Sequence, residues 1–408
     1  MLSVGIDAAL KAHQGEIQSD DGKVHWKGKF ENNKEGLDKL IANIEKVEKN
    51  TKDAVIGIYV EAMGSYFEPF QYQLTERGYR VVLVNPMKVK RAREMKNLNT
   101  EKSDPIDASV LAGLPWIDAR FRETNSHQRY PISELTRLHQ KMKKMETQLK
   151  NSLHSDLVRV FPEFVNLVKE RNSKTVLKLL EKYPKPSKII AASEKDLVRL
   201  VKNTSRGNYG LDFVKKVREL AENTIGVPDK EDAVEYRVKF FIKRIWEIKA
   251  SIKKLEKEIN RRTKGNEEIQ MIADMRGIER LKAVSMYGEV GPIEQFASAR
   301  KLQGYGGNKP IRRQSGAKEW IGRPSKIVNH YLRYTVSVCA RSLAHHSEEF
   351  REIYFREKMK GKTDTQAYII IGNRLLYHIF TIMKNRKPYR KRLPMCALQN
   401  PRPSISCR

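Results

Sequence analysis

A nearly unbroken apolar run, "AVIGIYVEA" at residues 54–62, constrains the fold most strongly. Its many β-branched residues are typical of a strand that is buried on both faces of a sheet. The segment "YRVVLVNP" at residues 79–86 has the same character, and "LSVGID" at residues 2–7 predicts a further strand. Residues 33–47 have helical periodicity. This strand–helix alternation indicates a mixed sheet flanked by helices, and therefore an α/β N-terminal domain.

The middle of the chain has two helical segments whose apolar residues alternate at spacings of three and four. The first stripe consists of residues 135, 138, 142, 145 and 149. The second consists of Val238, Phe241, Ile245, Ile248, Ile252, Leu255 and Ile259. Such stripes are typical of coiled-coil seams. Two interpretations stay open, namely packing within one subunit and pairing between subunits. The second is favoured and predicts a homo-oligomer, a dimer or a tetramer.

Residues 275–296, "MRGIERLKAVSMYGEVGPIEQF", contain two short helical stretches and several glycines. The pattern resembles a helix-hairpin-helix element, in which Gly277 and Gly288 would allow backbone N–H groups to contact a phosphate. The glycines could equally mark ordinary helix ends. The segment from Lys384 onward has eight basic residues and no acidic ones, which predicts a flexible basic tail.

The charge of the chain points to a polyanionic partner. The 408 residues include 79 Lys and Arg against 49 Asp and Glu, a net charge of +30. Nucleic acid is the expected partner. A membrane is disfavoured because no stretch of about 18 apolar residues occurs. Three scattered cysteines and the lack of a glycine-rich nucleotide loop argue against a zinc ribbon and ATP-driven chemistry. We expect a soluble, cytoplasmic protein, and the family resemblance described below implies a prokaryotic, nucleoid-associated one.

Four carboxylates stand where secondary-structure elements begin or end. Asp7 and Glu61 end predicted strands, while Asp104 and Asp107 lie in "EKSDPIDASVLAGL", residues 101–114. Asp104 suits a helix N-cap and Asp107 the third helical position, so capping alone explains this pair. Asp7 and Glu61 could likewise be solvated strand ends. The same four acids at one sheet edge could instead bind one or two Mg²⁺ ions, because carboxylate oxygens suit that cation.

Three segments carry a resemblance to a known family. "GIDAALKAH", "VEAMGSYFEPFQYQLTERGYRVVLVNP" and "EKSDPIDASVLAGL" resemble the RNase H-like (RuvC-like) domain of the DEDD transposases of insertion sequences, the one-hundred-ten family. The family's two aspartates, glutamate-bearing strand and D-x-x-D turn fall on Asp7, Glu61, Asp104 and Asp107. The resemblance implies that these four residues are catalytic and bind metal.

The segment "GGNKPIRRQSGAKEWIGRPSKIVNHYLRYTVSVCARS" resembles the C-terminal transposase domain of the same family. There a serine before glycine is the recombination nucleophile, which implies this role for Ser315. Arg312, Arg313, Lys318 and Arg323 surround it in sequence and suit a phosphate clamp. From the residues alone, Ser315 could equally be a turn residue whose hydroxyl only contacts the DNA backbone.

The expected architecture has four parts: an RNase H-like (RuvC-like) DEDD domain at 1–125, a helical coiled-coil region at 126–265, a mainly α transposase domain at 266–383 and a basic tail at 384–408. The resemblance implies a Mg²⁺-dependent serine recombinase that acts on donor and target DNA under the guidance of a structured bridge RNA. Two alternatives stay open. One is a metal-dependent junction nuclease that uses water, and the other is an inactive nucleic-acid-binding scaffold.

Overall fold

A computed structural model describes residues 1–61, 66–96, 103–118, 129–168, 170, 172–228, 232–308, 310–315, 318–324 and 328–390. The chain divides into two compact units. One combines Met1–Tyr130 with the C-terminal part from Glu289, and the other is Pro131–Gly288. The four-part division expected from the sequence stays a prediction.

The N-terminal part of the first unit is built on a five-stranded mixed sheet. Its strands are β1 (Leu2–Asp7), β2 (Ala12–Ser19), β3 (Val24–Glu31), β4 (Val55–Glu61) and β5 (Val81–Val84). They lie in the order β3-β2-β1-β4-β5. Strands β1, β4 and β5 are parallel to one another, whereas β2 is antiparallel to both of its neighbours. The mixed sheet predicted from the sequence is confirmed.

Helices cover both faces of this sheet. They are α1 (Lys34–Thr51), α2 (Glu68–Glu76), α3 (Pro86–Lys96) and α4 (Asp104–Ile117). Ile58 and Val60 of β4 belong to a core with α1 and α2, while Tyr59 belongs to a second core with α3 and α4. Burial of successive β4 residues on opposite faces explains why the run is apolar throughout.

The second unit is helical. Its helices are α5 (Ile132–Val160), α6 (Pro162–Leu167), α7 (Lys174–Lys182), α8 (Pro186–Ala191), α9 (Glu194–Ser205), α10 (Leu211–Glu222), α11 (Ala233–Arg262) and α12 (Glu267–Ala273). The long helices α5 and α11 pack against each other. His139 pairs with Glu256 at 3.0 Å and Asp156 with Arg237 at 2.8 Å, so the two helices run antiparallel.

The two predicted seams differ in burial. On α11, Val238, Ile245 and Ile252 are buried as predicted. On α5, however, Leu138 and Met145 remain 46% and 45% exposed. Residues on another face of α5, including Thr136, His139 and Glu146, are buried instead. The contacts therefore give intrachain helix packing, and a coiled coil between subunits stays a prediction.

Helix α13 (Arg280–Val290) begins at the end of the second unit and runs into the first. The turn that separates it from α12 contains Gly277 at a φ of 105°. Gly288 was expected in a hairpin but lies inside α13, where its backbone approaches Ser133. That expectation was wrong because the reversal after α13 uses Gly291, at a φ of 65°.

The described residues in the C-terminal part of the first unit include four α-helices and a hairpin. The helices are α14 (Ala299–Tyr305), α15 (His330–His346), α16 (Glu348–Met359) and α17 (Asp364–Asn385). Strands β6 (Pro310–Ser315) and β7 (Lys318–Pro324) form the hairpin. Helix α17 extends two residues into the segment predicted as a tail, which begins at Lys384. No helix in the described ranges is long and apolar enough to cross a membrane.

Candidate active site

Asp7 and Glu61 end two neighbouring parallel strands. In the β1–β4 ladder Ile6 is level with Val60, so the next residues along the strands are Asp7 and Glu61. Glu61 is only 7% exposed. Because the two strands are parallel, both carboxylates lie at the same edge of the sheet, as the sequence predicted.

Helix α4 packs closely along β1 and runs antiparallel to it. The Ser3 hydroxyl donates a hydrogen bond of 2.6 Å to the Ala112 carbonyl. Two residues further along β1, a Cβ atom on Gly5 would lie 2.1 Å from the Ala108 carbonyl oxygen. Two strand residues and four helix residues each span about 6 Å. Asp7 lies two residues after Gly5 on β1, and Asp104 lies four residues before Ala108 on α4, so Asp7 and Asp104 are level with each other. The start of α4 therefore lies at the edge where β1 and β4 end.

Replacing Gly5 with alanine should destabilise the fold, because the new methyl group would overlap the α4 backbone. We expect the free energy of unfolding to fall by about 1–3 kcal/mol or more. Denaturant unfolding of both proteins measures the change. Gly304, inside α14 with no atom within 4 Å of its Cβ position, is the matched control. Its replacement by alanine should be neutral or slightly stabilising. Equal losses at both positions would contradict the close β1–α4 packing.

Asp107 is held by an arginine that sequence reasoning missed. The Asp107 side chain is 2% exposed and forms an ion pair with the Arg93 guanidinium, which is 14% exposed. Arg93 lies on α3, four residues after the fully buried Val89 and next to the buried Ala92. Residues four apart share one face of a helix, so this spacing could have indicated that Arg93 faces inward. Most other charged residues of α3 are exposed.

Asp104 has a different environment from Asp107. It is exposed and occupies the first position of α4, while Ser103 is the N-cap residue. The expectation that Asp104 is the cap was wrong, because Ser103 has the extended backbone and its carbonyl accepts from the amides of Ile106 and Asp107. Both aspartates still lie in the first turn, where a negative charge stabilises the helix dipole.

The metal prediction is supported by position rather than by an assembled set of ligands. Asp7, Glu61 and the first turn of α4 meet at one sheet edge, and carboxylate oxygens are suitable donors for a hard divalent cation. Across the residues that the structure describes, however, no three Asp, Glu, His or Cys side chains form a group that could hold a metal ion. The Asp107 carboxylate is instead paired with Arg93.

His13 forms a hydrogen bond with the backbone just after Asp7. Its Nδ1 accepts a hydrogen bond of 3.1 Å from the Ala9 amide, and its ring packs against Phe30 and Phe70. Burial lowers the pKa of His13, which favours the neutral imidazole. A neutral imidazole that accepts from the backbone and packs in a core has a structural role.

The predicted nucleophile lies in the β6–β7 hairpin. Ser315 ends β6 and is level with Lys318, the first residue of β7. Arg312 and Arg313 lie on β6, and Arg323 lies on β7. The side chains of these residues are outside the described part of the structure. Their predicted catalytic and phosphate-binding roles therefore stay predictions.

Comparison with known proteins supports one family along most of the chain. Residues 4–162 match the model of the DEDD transposases of IS110, described as a transposase. Residues 269–355 match a second model, described as transposase of the IS116/IS110/IS902 family. The two matches together cover more than half of the sequence.

Individual relatives agree with these matches. The mini-circle putative transposase for IS117 of Streptomyces coelicolor is 22% identical over 395 residues, which are 94% of each chain. A 43.6 kDa uncharacterized protein of insertion element IS110 from the same organism is 22% identical over 399 residues, 96% of each chain. The transposase for insertion sequence element IS1111A of Coxiella burnetii is 28% identical over 138 residues, 33% of this chain and 38% of that protein.

The first match contains the sheet edge with Asp7, Glu61, Asp104 and Asp107, and the second contains the β6–β7 hairpin with Ser315. The DEDD match implies an RNase H-like fold for the N-terminal sheet and a dependence on divalent metal. The chain belongs to the IS110 family of transposases, enzymes that recombine DNA.

Proposed function

We propose that this transposase joins DNA through a covalent serine intermediate, with Ser315 as the nucleophile and Asp7, Glu61, Asp104 and Asp107 as the acids of a Mg²⁺ site. Two observations carry the proposal: the register of β1 and β4, and the contact of Gly5 with α4. Together they support a common position for Asp7, Glu61 and Asp104 at one sheet edge. The match of the family to both segments supports joint action of the acids and the serine.

In the proposed reaction the Ser315 oxygen attacks a DNA phosphorus and a DNA oxygen leaves. The serine hydroxyl loses its proton as the new O–P bond forms, and the leaving DNA oxygen gains one. A hydroxyl of the second DNA end then attacks the phosphoserine, which restores Ser315 and the number of phosphodiester bonds. Arg312, Arg313, Lys318 and Arg323 would bind the phosphate and stabilise its developing charge.

Asp7, Glu61 and Asp104 would hold the divalent cation, and Asp107 would join them or support them through the first turn of α4. When bound, the cation would polarise the scissile phosphate and offset its charge. The acids themselves set where the DNA can be cut, because the sheet fixes the two strand ends and Gly5 fixes the helix against β1.

The proposed partners are donor DNA, target DNA and a structured guide RNA of the bridge type. The net charge of +30 supports the binding of a large amount of phosphate. If base pairing with an RNA selects the DNA sequence, the protein needs to recognise only the backbone and shape of the nucleic acids.

Replacing Glu61 with glutamine should abolish DNA joining, because the amide is isosteric but lacks the negative charge of a metal ligand. The measurement is the yield of joined product from DNA that carries the element ends, with the RNA and Mg²⁺ present. Glu31 is the matched control, since it also ends a strand of the same sheet but is exposed. Equal activity of Glu61→Gln, Glu31→Gln and wild type would remove Glu61 from the mechanism.

We also propose that the chain forms a dimer or tetramer through the apolar stripe of α5. Leu138 and Met145 are nearly half exposed, and Leu135, Met142 and Leu149 continue the same heptad spacing. Such spacing fits a second helix with the same repeat, so another copy of α5 is the expected partner.

Introducing charged residues into this stripe should weaken the association of subunits. We expect Leu138→Asp combined with Met145→Asp to lower the molar mass measured by light scattering at equal protein concentration. The control is a double change of exposed positions on another face of α5, Lys144→Asp with Thr147→Asp. If only the control or neither variant changes the mass, the stripe is not the subunit interface.

A further inference from the structure

The C-terminal part of the first unit has a groove that neither the acids nor Ser315 explain. It lies between α14 and the last three turns of α17, and its volume is about 670 Å³. That volume is within the range of roughly 300–1,000 Å³ that is usual for ligand sites. We call it the α14/α17 groove; Arg300, Gln303, Asn373, Tyr377, Phe380 and Lys384 are among its lining residues.

The walls of the α14/α17 groove are fixed to each other. The Gln303 side chain donates a hydrogen bond of 2.9 Å to the Asn373 carbonyl. Leu302, one residue earlier on α14, is fully buried. At the end of α14, a Cβ atom on Gly306 would lie 2.9 Å from Leu376 of α17. The groove is therefore a formed feature of two packed helices rather than a gap between independent elements.

An aromatic ring is presented in this groove. Tyr377 is 43% exposed, and the Arg374 guanidinium lies 5.5 Å from its ring centroid. Nη2 of the same guanidinium is 3.7 Å from the Glu349 carboxylate, which fixes the arginine. The anchored guanidinium therefore lies over the tyrosine ring. Such a ring is a suitable surface for stacking of a flat base.

The charges of the groove have one sign. Its two charged lining residues, Arg300 and Lys384, are both basic and exposed. Neither forms an ion pair with another residue in the described ranges. Two exposed cations in a groove that also exposes an aromatic ring suit a single strand, whose base can stack on the ring while its phosphates contact the cations.

We propose that the α14/α17 groove binds a single strand of nucleic acid, with one base stacked on Tyr377 and the flanking phosphates contacting Arg300 and Lys384. A duplex is disfavoured, since its bases are already stacked on each other. The chain's own segment 391–408 is disfavoured as an occupant because it contains four basic residues and no acidic ones. RNA and DNA single strands share the chemistry that this site recognises.

The test measures binding by the full chain, freed of copurified nucleic acid, to short labelled oligonucleotides. Single-stranded DNA, single-stranded RNA of the same sequence and duplex DNA are compared by fluorescence anisotropy over a series of salt concentrations. We expect Tyr377→Ala to weaken single-strand binding by roughly 5- to 150-fold, the loss of one base stack, with little effect on duplex binding. Tyr377→Trp should retain the affinity.

The charged residues should affect the salt dependence instead. We expect Arg300→Gln with Lys384→Gln to reduce the slope of log affinity against log salt by about 0.7 per lost phosphate contact. Tyr236, which is 73% exposed on α11 of the other unit, is the control for loss of an exposed tyrosine. Tighter binding of RNA or of DNA identifies the source of the strand, and equal affinity means that the groove does not distinguish the 2′-hydroxyl.

Single-strand binding by Tyr377→Ala equal to wild type, or an equal loss in Tyr236→Ala, would overturn the proposal. So would an equal loss for the duplex, which would indicate a general basic surface. If Tyr377→Ala does not fold, photo-crosslinking of the wild type to a thio-substituted strand decides, and crosslinked peptides that lack residues 297–303 and 373–385 would contradict the site. The readout is strand binding and not DNA joining, so failure of this proposal and failure of the proposed function are distinguishable.

Discussion

Ser315→Ala should abolish the joining of DNA ends while leaving DNA binding intact. Without the hydroxyl no phosphoserine link can form, and the energy of the broken phosphodiester cannot be retained for rejoining. We expect the yield of joined product to fall by about 10³-fold or more, as is usual when a nucleophile is removed. The measurement is single-turnover conversion of DNA that carries the element ends, with separate detection of cut and joined strands.

The pattern of products distinguishes the two enzymatic mechanisms. A metal-dependent junction nuclease that uses water would cut DNA equally well without Ser315. Ser325→Ala, ten residues further along the same basic segment, is the control and should join DNA like wild type. If Ser315→Ala cuts DNA at the wild-type rate, then water and not Ser315 is the nucleophile. An inactive scaffold would show no cutting or joining even in the wild type.

Arg93→Gln should destabilise the N-terminal sheet more than loss of any exposed charge. It leaves the Asp107 carboxylate, which is 2% exposed, without its guanidinium partner. Removal of one member of a buried ion pair costs about 3–5 kcal/mol, because the remaining charge is uncompensated. Denaturant unfolding without divalent metal measures the loss. Arg91→Gln is the matched control, since Arg91 is exposed on the same helix.

Added Mg²⁺ should stabilise Arg93→Gln more than wild type if Asp107 belongs to the proposed metal site, because the cation would then replace the guanidinium. Thermal unfolding with and without Mg²⁺ measures this difference. The double variant Arg93→Gln with Asp107→Asn should recover part of the lost stability, since it removes the stranded charge. A loss in Arg93→Gln no greater than in Arg91→Gln would mean that the ion pair is not important for the fold. If Mg²⁺ stabilises Arg93→Gln and wild type equally against thermal unfolding, Asp107 does not bind the cation.

The strands that carry Asp7 and Glu61 could be predicted because their burial is a local property of the sequence. β4 is apolar at nearly every position, and a strand with that composition has to be covered on both faces. β2 was not identified in this way. Gln14, Glu16 and Gln18 are buried there although they are polar, because helix α4, which is distant in sequence, packs against β2.

The spacing of apolar residues likewise indicates which residues share a helix face, but not which face packs inside the chain. On α11 the predicted stripe is buried or partly buried, whereas on α5 Leu138 and Met145 remain exposed and Thr136 and His139 face inward. Contacts between side chains were the least predictable part of the site. The pairing of Asp107 with Arg93 depends on how α3 and α4 pack on one sheet face, which no short motif encodes.

The most direct test of the account is to trap the covalent intermediate. The wild-type chain, expressed with its element's RNA, is incubated with labelled donor and target DNA and Mg²⁺, denatured and separated by gel electrophoresis. The account predicts a protein–DNA adduct whose linked peptide contains Ser315, and loss of that adduct in both Ser315→Ala and Asp104→Ala. A wild-type enzyme that cuts and joins DNA without any adduct, or an adduct that persists in Ser315→Ala, would contradict it.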